Sequence, residues 1–241
     1  KFKCFLIEDS CHALGAKYVN TKKYESIGSC KHSDISTFSL HPLKSITSGE
    51  GGIVTTRNKL IGEKIKLFRS HGIIRKKKHW NYDVKTNGFN YRLSDVNCAL
   101  AFSQIKKLEM FIAKRKKIFN LYYSHLNNYK NICSIYRPEK NTKSSFHLVF
   151  LKINYDKLKK DKNDLINFLF RKKIITQFHY IPFYKFSLFK KKLKLHKNIF
   201  IGCKEFSNKT FSLPIYFALK EKEVSMICNH IKKFIKINLI N

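Results

Sequence analysis

Apolar and polar positions alternate along this chain with two different periods, and the periods divide it into strands and helices. The run "CFLIED" is short, apolar and closed by acids, the signature of an interior parallel strand whose carboxyl end opens into a site. Asp9 then stands at the strand tip. Two further runs, "ISTFSL" (Ile35 to Leu40) and "GGIVTT" (Gly51 to Thr56), are rich in β-branched residues and flank a turn of Gly, Ser and Thr, which leaves Lys44 in a loop between two strands. In "NKLIGEKIKLFRSHG" the residues Leu60, Ile61, Ile65, Leu67 and Phe68 recur at helical spacing before a terminating glycine, predicting a surface helix.

After an irregular stretch through "HWNYDVKTNGFNYRL", Ser94 and Asp95 make an N-cap for a long helical pattern that runs through "VNCALAFSQIKKLEMFIAKRKKIFNLYYSHL". The remainder reads as a strand "SFHLVFLKI", a helix "DLINFLFRKKI", a strand "ITQFHYIP" and a closing helix "EKEVSMICNHIKKFIK", a small α+β domain. The expected organisation is therefore an α/β portion over residues 1–110 and a small α+β domain over residues 111–241, with no internal repeat and no Pro/Gly-rich linker between them.

Charge complicates this picture. The formal net charge is +33, which on its own invites a nucleic-acid reading. Lysine outnumbers arginine 42 to 7, however, and Ile, Asn and Phe, which share A/T-rich codons, are also abundant. Base-reading contacts favour Arg, and the basic runs "RKKKH" (Arg75 to His79), "KRKK" (Lys114 to Lys117) and "KKKLK" (Lys190 to Lys194) are short and scattered, so they read as solvated surface and no nucleic-acid partner is expected. Seven cysteines without a CxxC pair suggest neither a disulfide framework nor a zinc site, and a reducing cytoplasm fits best. No apolar run approaches the ~20 residues that span a bilayer, so no membrane partner is expected. The chain opens at Lys1 without methionine and enters a strand almost at once, which reads as the second part of a longer protein.

One lysine is set apart by its surroundings. A lysine acts as a nucleophile only when part of it is neutral, and a glycine-rich loop at a strand end can hold it where that happens. An imine between Lys44 and pyridoxal phosphate (PLP) would also need a carboxylate at the pyridine nitrogen, for which Asp9 is the candidate, and a phosphate donor, for which Ser39 is. Taken singly, each has a plainer reading: Asp9 as a helix cap, Ser39 as a packed strand residue, Lys44 as one more surface lysine.

The segments "IEDSCHALGAKY", "SDISTFSLHPLKSITSGEGGIVTT", "LFRSHGI", "GFNYRLSDVNCAL", "QFHYIP" and "FSLPIY" occur in an order that resembles the DegT/DnrJ/EryC1/StrS family of PLP-dependent sugar aminotransferases. Within it, "HPLKSITSGEGG", "GSCKHSD" and "HWNYD" are most similar to the branch serving pseudaminic acid synthesis. The resemblance implies an α/β fold of the aspartate-aminotransferase type, with part of its PLP-carrying large domain followed by the small C-terminal domain. It makes Lys44 the lysine that binds PLP and moves the proton, with Asp9 on the pyridine nitrogen, His12 near the phenolic oxygen and Ser39 on the phosphate. It brings Asn90 to the PLP phosphate of a neighbouring subunit, hence a homodimer with shared sites, and Arg92, His179 and Tyr180 to the sugar-nucleotide pocket.

The implied reaction is ping-pong: L-glutamate gives its amine to PLP, which then aminates C4 of a UDP-linked 4-keto-6-deoxy sugar. The family's first strands, a phosphate-binding turn and an aromatic that stacks on the cofactor have no counterpart here. The competing expectations are therefore amination of another nucleotide-linked keto sugar, or a non-catalytic fragment.

Overall fold

A computed structural model describes residues 4–20, 22–75, 80–192 and 200–240. The first three residues, most of the "RKKKH" run and the end of "KKKLK" lie outside these described residues. The chain divides into two compact units, one of residues 1–112 with 138–147, the other of residues 113–137 with 148–241. The boundary expected near residue 110 has no counterpart for the second crossing: residues 138–147 return to the first unit, and no local pattern signals that return.

In the first unit β1 (Ile7–Asp9), β2 (Lys17–Asn20), β3 (Lys23–Ser26), β4 (Ile35–Ser39) and β5 (Gly52–Thr55) precede α1 (Lys59–Arg69), the β6 (Ile73–Arg75) and β7 (Tyr82–Val84) pair, and α2 (Asp95–Ile105). β4 is central in the order β1-β4-β5, parallel to β1 with Asp9 opposite Thr37, and antiparallel to β5 with Ser39 opposite Gly52. The β2–β3 hairpin, to which the sequence reading assigned no element, is extended by β9 (Thr142–Lys143) from the returning segment.

β1 forms as the expected parallel strand beside β4. Among the described residues it has a strand neighbour on one side only, and Ile7 is 61% exposed. α1 begins where expected because the Asn58 side chain accepts from the Leu60 and Ile61 N–H groups, which would otherwise lack partners.

The single long helix of the sequence reading is two. α2 is capped by Ser94 and ends before Lys106; α3 (Leu108–Leu126) follows. At the break the Lys107 N–H bonds the Gln104 carbonyl at 2.9 Å, a tightened turn that interrupts the regular ladder.

The second unit packs α3 residues Ile118, Tyr122 and Leu126 into a core with the sheet of β8 (Cys133–Ile135), β10 (Val149–Ile153) and β11 (Thr210–Leu213), ordered β11-β10-β8. α4 (Lys162–Arg171) carries an Asp161–Asp164 capping box, α5 (Ser187–Lys192) and α6 (Ile201–Lys209) are short, and α7 (Glu221–Asn238) buries Val224, Ile227, Ile231 and Ile235 at helical spacing. The expected "ITQFHYIP" strand does not form: only Gln177 pairs, with Ser212. Pro182, which has no N–H, cannot prolong the ladder, and Phe178, Tyr180 and Ile181 face outward.

Candidate functional site

Parallel pairing of β1 and β4 brings both carboxyl ends to one edge of the sheet, the place where open α/β sheets bind ligands. Asp9 closes β1 and Ser39 closes β4 at that edge. Beyond Asp9 no helix begins; residues 11–15 form turns, so its carboxylate caps a turn by accepting the Cys11 N–H at 3.1 Å. The Cys11 thiol is also a donor to it, and the two donors hold the Asp9 carboxyl below the usual carboxylate range against a smaller opposing effect of burial. Electrostatic interaction with nearby His12 and Lys44 acts in the same direction. Asp9 is thus an anion at neutral pH, while the hydrogen bond to Asp9, followed by burial, pushes the Cys11 thiol up.

Lys44 owes its position to a short closed loop. His41-Pro42-Leu43-Lys44 is a turn in which the Lys44 N–H bonds the His41 carbonyl at 2.9 Å, with proline in the position that its fixed φ suits. The loop is fastened at Leu40: its N–H bonds the Gly51 carbonyl at 2.9 Å, and its carbonyl accepts from the Ser48 N–H and the Thr47 hydroxyl, each at 3.0 Å. Leu40, Ile46 and Ser48 are buried beneath, and Lys44 itself is half-buried. The Ser39 hydroxyl oxygen accepts the His41 N–H at 3.3 Å and keeps its own proton to donate.

Asn90 and Arg92 lie on an exposed segment tied to the end of α1 by a Ser70–Asn90 bridge and by the Tyr91 N–H on the Arg69 carbonyl at 3.0 Å. This segment leads into the Ser94 cap of α2. His179 and Tyr180 belong to the second unit, where His179 Nδ1 lies 2.7 Å from the Ser212 hydroxyl and the two rings meet edge to face at 4.9 Å. Asp9, His12, Ser39 and Lys44 therefore share one end of a sheet, whereas the remaining residues of the expected site occupy other elements.

Three residues at this edge escaped the sequence reading. Cys11 had a signal, the Asx-turn spacing two residues after Asp9. His147 had none: its ring centroid lies 4.5 Å from that of His12 only because residues 138–147 return to the first unit. Asn97 was read as part of a helix start, yet its side chain reaches the loop of Lys44.

The donor set fits pyridoxal phosphate: a primary amine on a loop tip for an aldehyde, an ionised carboxylate for a pyridinium, and a hydroxyl free to donate to a phosphate. Seven free cysteines accompany it, and no group of His, Cys, Asp or Glu among the described residues has the arrangement of a metal site.

This chain is similar to several known proteins. The UDP-4-amino-4,6-dideoxy-N-acetyl-beta-L-altrosamine transaminase of Campylobacter jejuni is 42% identical over 193 residues, 80% of this chain and 49% of that protein. The GDP-perosamine synthase of Escherichia coli O157:H7 is 29% identical over 230 residues, 95% of this chain and 58% of that protein. The solved structure of Helicobacter pylori PseC, an aminotransferase involved in the biosynthesis of pseudoaminic acid, superposes with a TM-score of 0.86 at 30% identity, covering 97% of this chain and 60% of that one. The chain thus spans between half and three fifths of the length of these relatives. Residues 1–232 match the profile of one family throughout, and the α/β fold is that of its structures: this chain belongs to the DegT/DnrJ/EryC1/StrS aminotransferase family.

Proposed function

We propose that the protein of which this chain forms part transfers the amino group of L-glutamate to C4 of a UDP-linked 4-keto-6-deoxy sugar, in pseudaminic acid synthesis, with pyridoxal phosphate as cofactor and the cytoplasm as compartment. The observation that carries this reading is the meeting, at one edge of the sheet, of an ionised Asp9 with the charge of the loop-borne Lys44 and the hydroxyl of Ser39. The 42% identity with the Campylobacter enzyme supports the choice of sugar.

When bound, pyridoxal phosphate supplies an electron sink for charge that develops beside the transferred nitrogen. The work of the chain is to bind, orient and move protons. Lys44 Nζ holds the cofactor covalently and, when released, is the base that carries the proton to and from the reacting carbon. Asp9, kept anionic by its donors, holds the proton on the pyridine nitrogen. His12 orients the ring and Ser39 donates to the phosphate.

In this reading residues 1–110 are the PLP-carrying part of a large domain, joined by the returning residues 138–147, and the rest of residues 111–241 is the small domain. Arg92, His179 and Tyr180 contact the sugar nucleotide, and Asn90 reaches the phosphate in a second subunit. The working unit in this reading is a homodimer with shared sites.

The test is borohydride reduction of the full-length protein with PLP, followed by peptide mass analysis. A pyridoxyl group on Lys44, absent from Lys44→Ala, is expected; an unmodified Lys44 with label elsewhere overturns the assignment. A second reading, a GDP-linked keto sugar, is favoured by the similarity to the E. coli synthase. Product analysis over UDP-, dTDP- and GDP-linked 4-keto sugars separates the two.

A further inference from the structure

Lys44 is held from within by the closed 40–51 loop, but one restraint comes from a distant element. The Asn97 side-chain amide donates from Nδ2 to the Ser48 carbonyl, across 49 positions of sequence. The amide is itself oriented: the Ser94 hydroxyl donates to Asn97 Oδ1 and accepts the Asn97 N–H at 3.3 Å, so Oδ1 faces the cap and Nδ2 faces the loop. Ser48 is fully buried, its hydroxyl donates to the Glu50 carbonyl at 2.7 Å, and its N–H closes the loop on Leu40 at 3.0 Å. The glycines on either side of Glu50 fit closely against the same helix start. A Cβ on Gly49 would stand 3.3 Å from Asn97 Nδ2, and one on Gly51 would stand 2.7 Å from the Leu93 side chain.

We propose that Asn97 is a positioning residue for Lys44: its amide pins the Ser48 carbonyl and so fixes the far side of the loop whose tip carries the amine. The inference rests on Lys44 being the reacting lysine, the reading given above. It also assigns the first turn of α2 a second task. A helix start needs an acceptor side chain at its N–H groups, which Ser94 provides; it does not need a donor aimed at another element. The outward amide of Asn97 is therefore unexplained by capping and accounted for by the loop.

The two tasks separate in Asn97→Asp. A carboxylate at the third position of α2 favours the helix start, through the dipole and through the bond from Ser94. It cannot donate to the Ser48 carbonyl. Hydrogen exchange on the full-length protein without added cofactor is the first readout. Loss of one such bond is expected to raise exchange at Ser48 and Gly49 roughly five- to tenfold, while amides 98–105 stay as protected as in the wild type or become more so. Asn97→Ala should raise exchange at the loop by a similar factor. Unchanged exchange at 44–51 in Asn97→Asp overturns the proposal, and so does a loss of protection confined to α2.

The second readout is the rate of covalent capture of PLP at Lys44, trapped by borohydride, which should fall severalfold in both variants. Capture absent from the wild-type protein refutes the functional reading alone, because the exchange result still decides whether the clamp exists.

Discussion

Two chain segments cross so closely beside Asn90 that only glycine fits between them, which makes Gly88→Ala a sharp test of the geometry. A Cβ on Gly88 would lie 2.2 Å from the Gly72 nitrogen and 2.5 Å from the His71 carbonyl carbon, both backbone atoms that no rotamer change can move aside. Gly72 is equally committed, with φ at +68° and the Thr86 oxygen 1.8 Å from where its Cβ would be. To admit one methyl group the segments must part by about 1 Å, on the order of the shortfall from ordinary contact distance. Hydrogen bonds at the crossing include the His71 N–H on the Phe89 carbonyl at 3.0 Å and the Phe89 N–H on the Phe68 carbonyl at 2.7 Å. Overpacking costs about 1–3 kcal/mol, and loosening one of these bonds adds about 1 kcal/mol, so Gly88→Ala should destabilise the first unit by about 2–4 kcal/mol.

Gly202→Ala is the matched control, because among the described residues nothing beyond its own helix backbone and chain neighbours lies within 4 Å of a Cβ placed there, in the first turn of α6. It should stabilise by about 0.5 kcal/mol through helix propensity. Urea unfolding by circular dichroism, with hydrogen exchange at Phe89 and Tyr91, measures both. If Gly88→Ala proved as benign as Gly202→Ala and left the Phe89 and Tyr91 amides protected, the close crossing that positions Asn90 would be refuted.

Two further outcomes follow from titrating groups. Burial, with the nearby charge of Lys185, lowers Lys162 from 10.5 to about 8, where its Nζ donates to the Ser207 carbonyl and lies 4.2 Å from the Phe178 ring centre. Between those two values the unfolded chain binds more protons than the folded one, so stability should rise with pH across that window. Lys162→Met, which keeps the contact with Phe178, should flatten that rise in urea titrations and stabilise at pH 7. Alkylation by iodoacetamide at pH 8 should modify the exposed Cys4, Cys98 and Cys203 first and Cys11 slowly. Cys133 and Cys228, pushed up to about 12 by burial, should react only on unfolding. Asp9→Asn should speed the modification of Cys11, and a wild-type Cys11 as fast as the exposed thiols would remove the thiol–carboxylate bond from the account.

The elements legible in the sequence were those whose cause is local. β4 and β5 follow from β-branched alternation, α1 from the Asn58 cap and apolar spacing, and α7 from its buried stripe. Where the cause is a partner far along the chain, the local pattern misled. "ITQFHYIP" has strand residues but finds pairing at Gln177 alone. The same division holds at the site. Lys44, Asp9 and Ser39 could be named because a cofactor dictates residue types and the motifs dictate order.

What only the tertiary structure decided is how those side chains are tuned and held. The sequence by itself sets the Pro42 turn under Lys44 and the Asx turn that leaves Asp9 facing Cys11, since both depend on residues within three positions. The bond from Asn97 to Ser48 spans 49 positions, and the contact of His147 with His12 spans more than a hundred. Such pairs depend on how the chain returns on itself. Side-chain periodicity records which face of an element is buried, but not which distant residue meets it there.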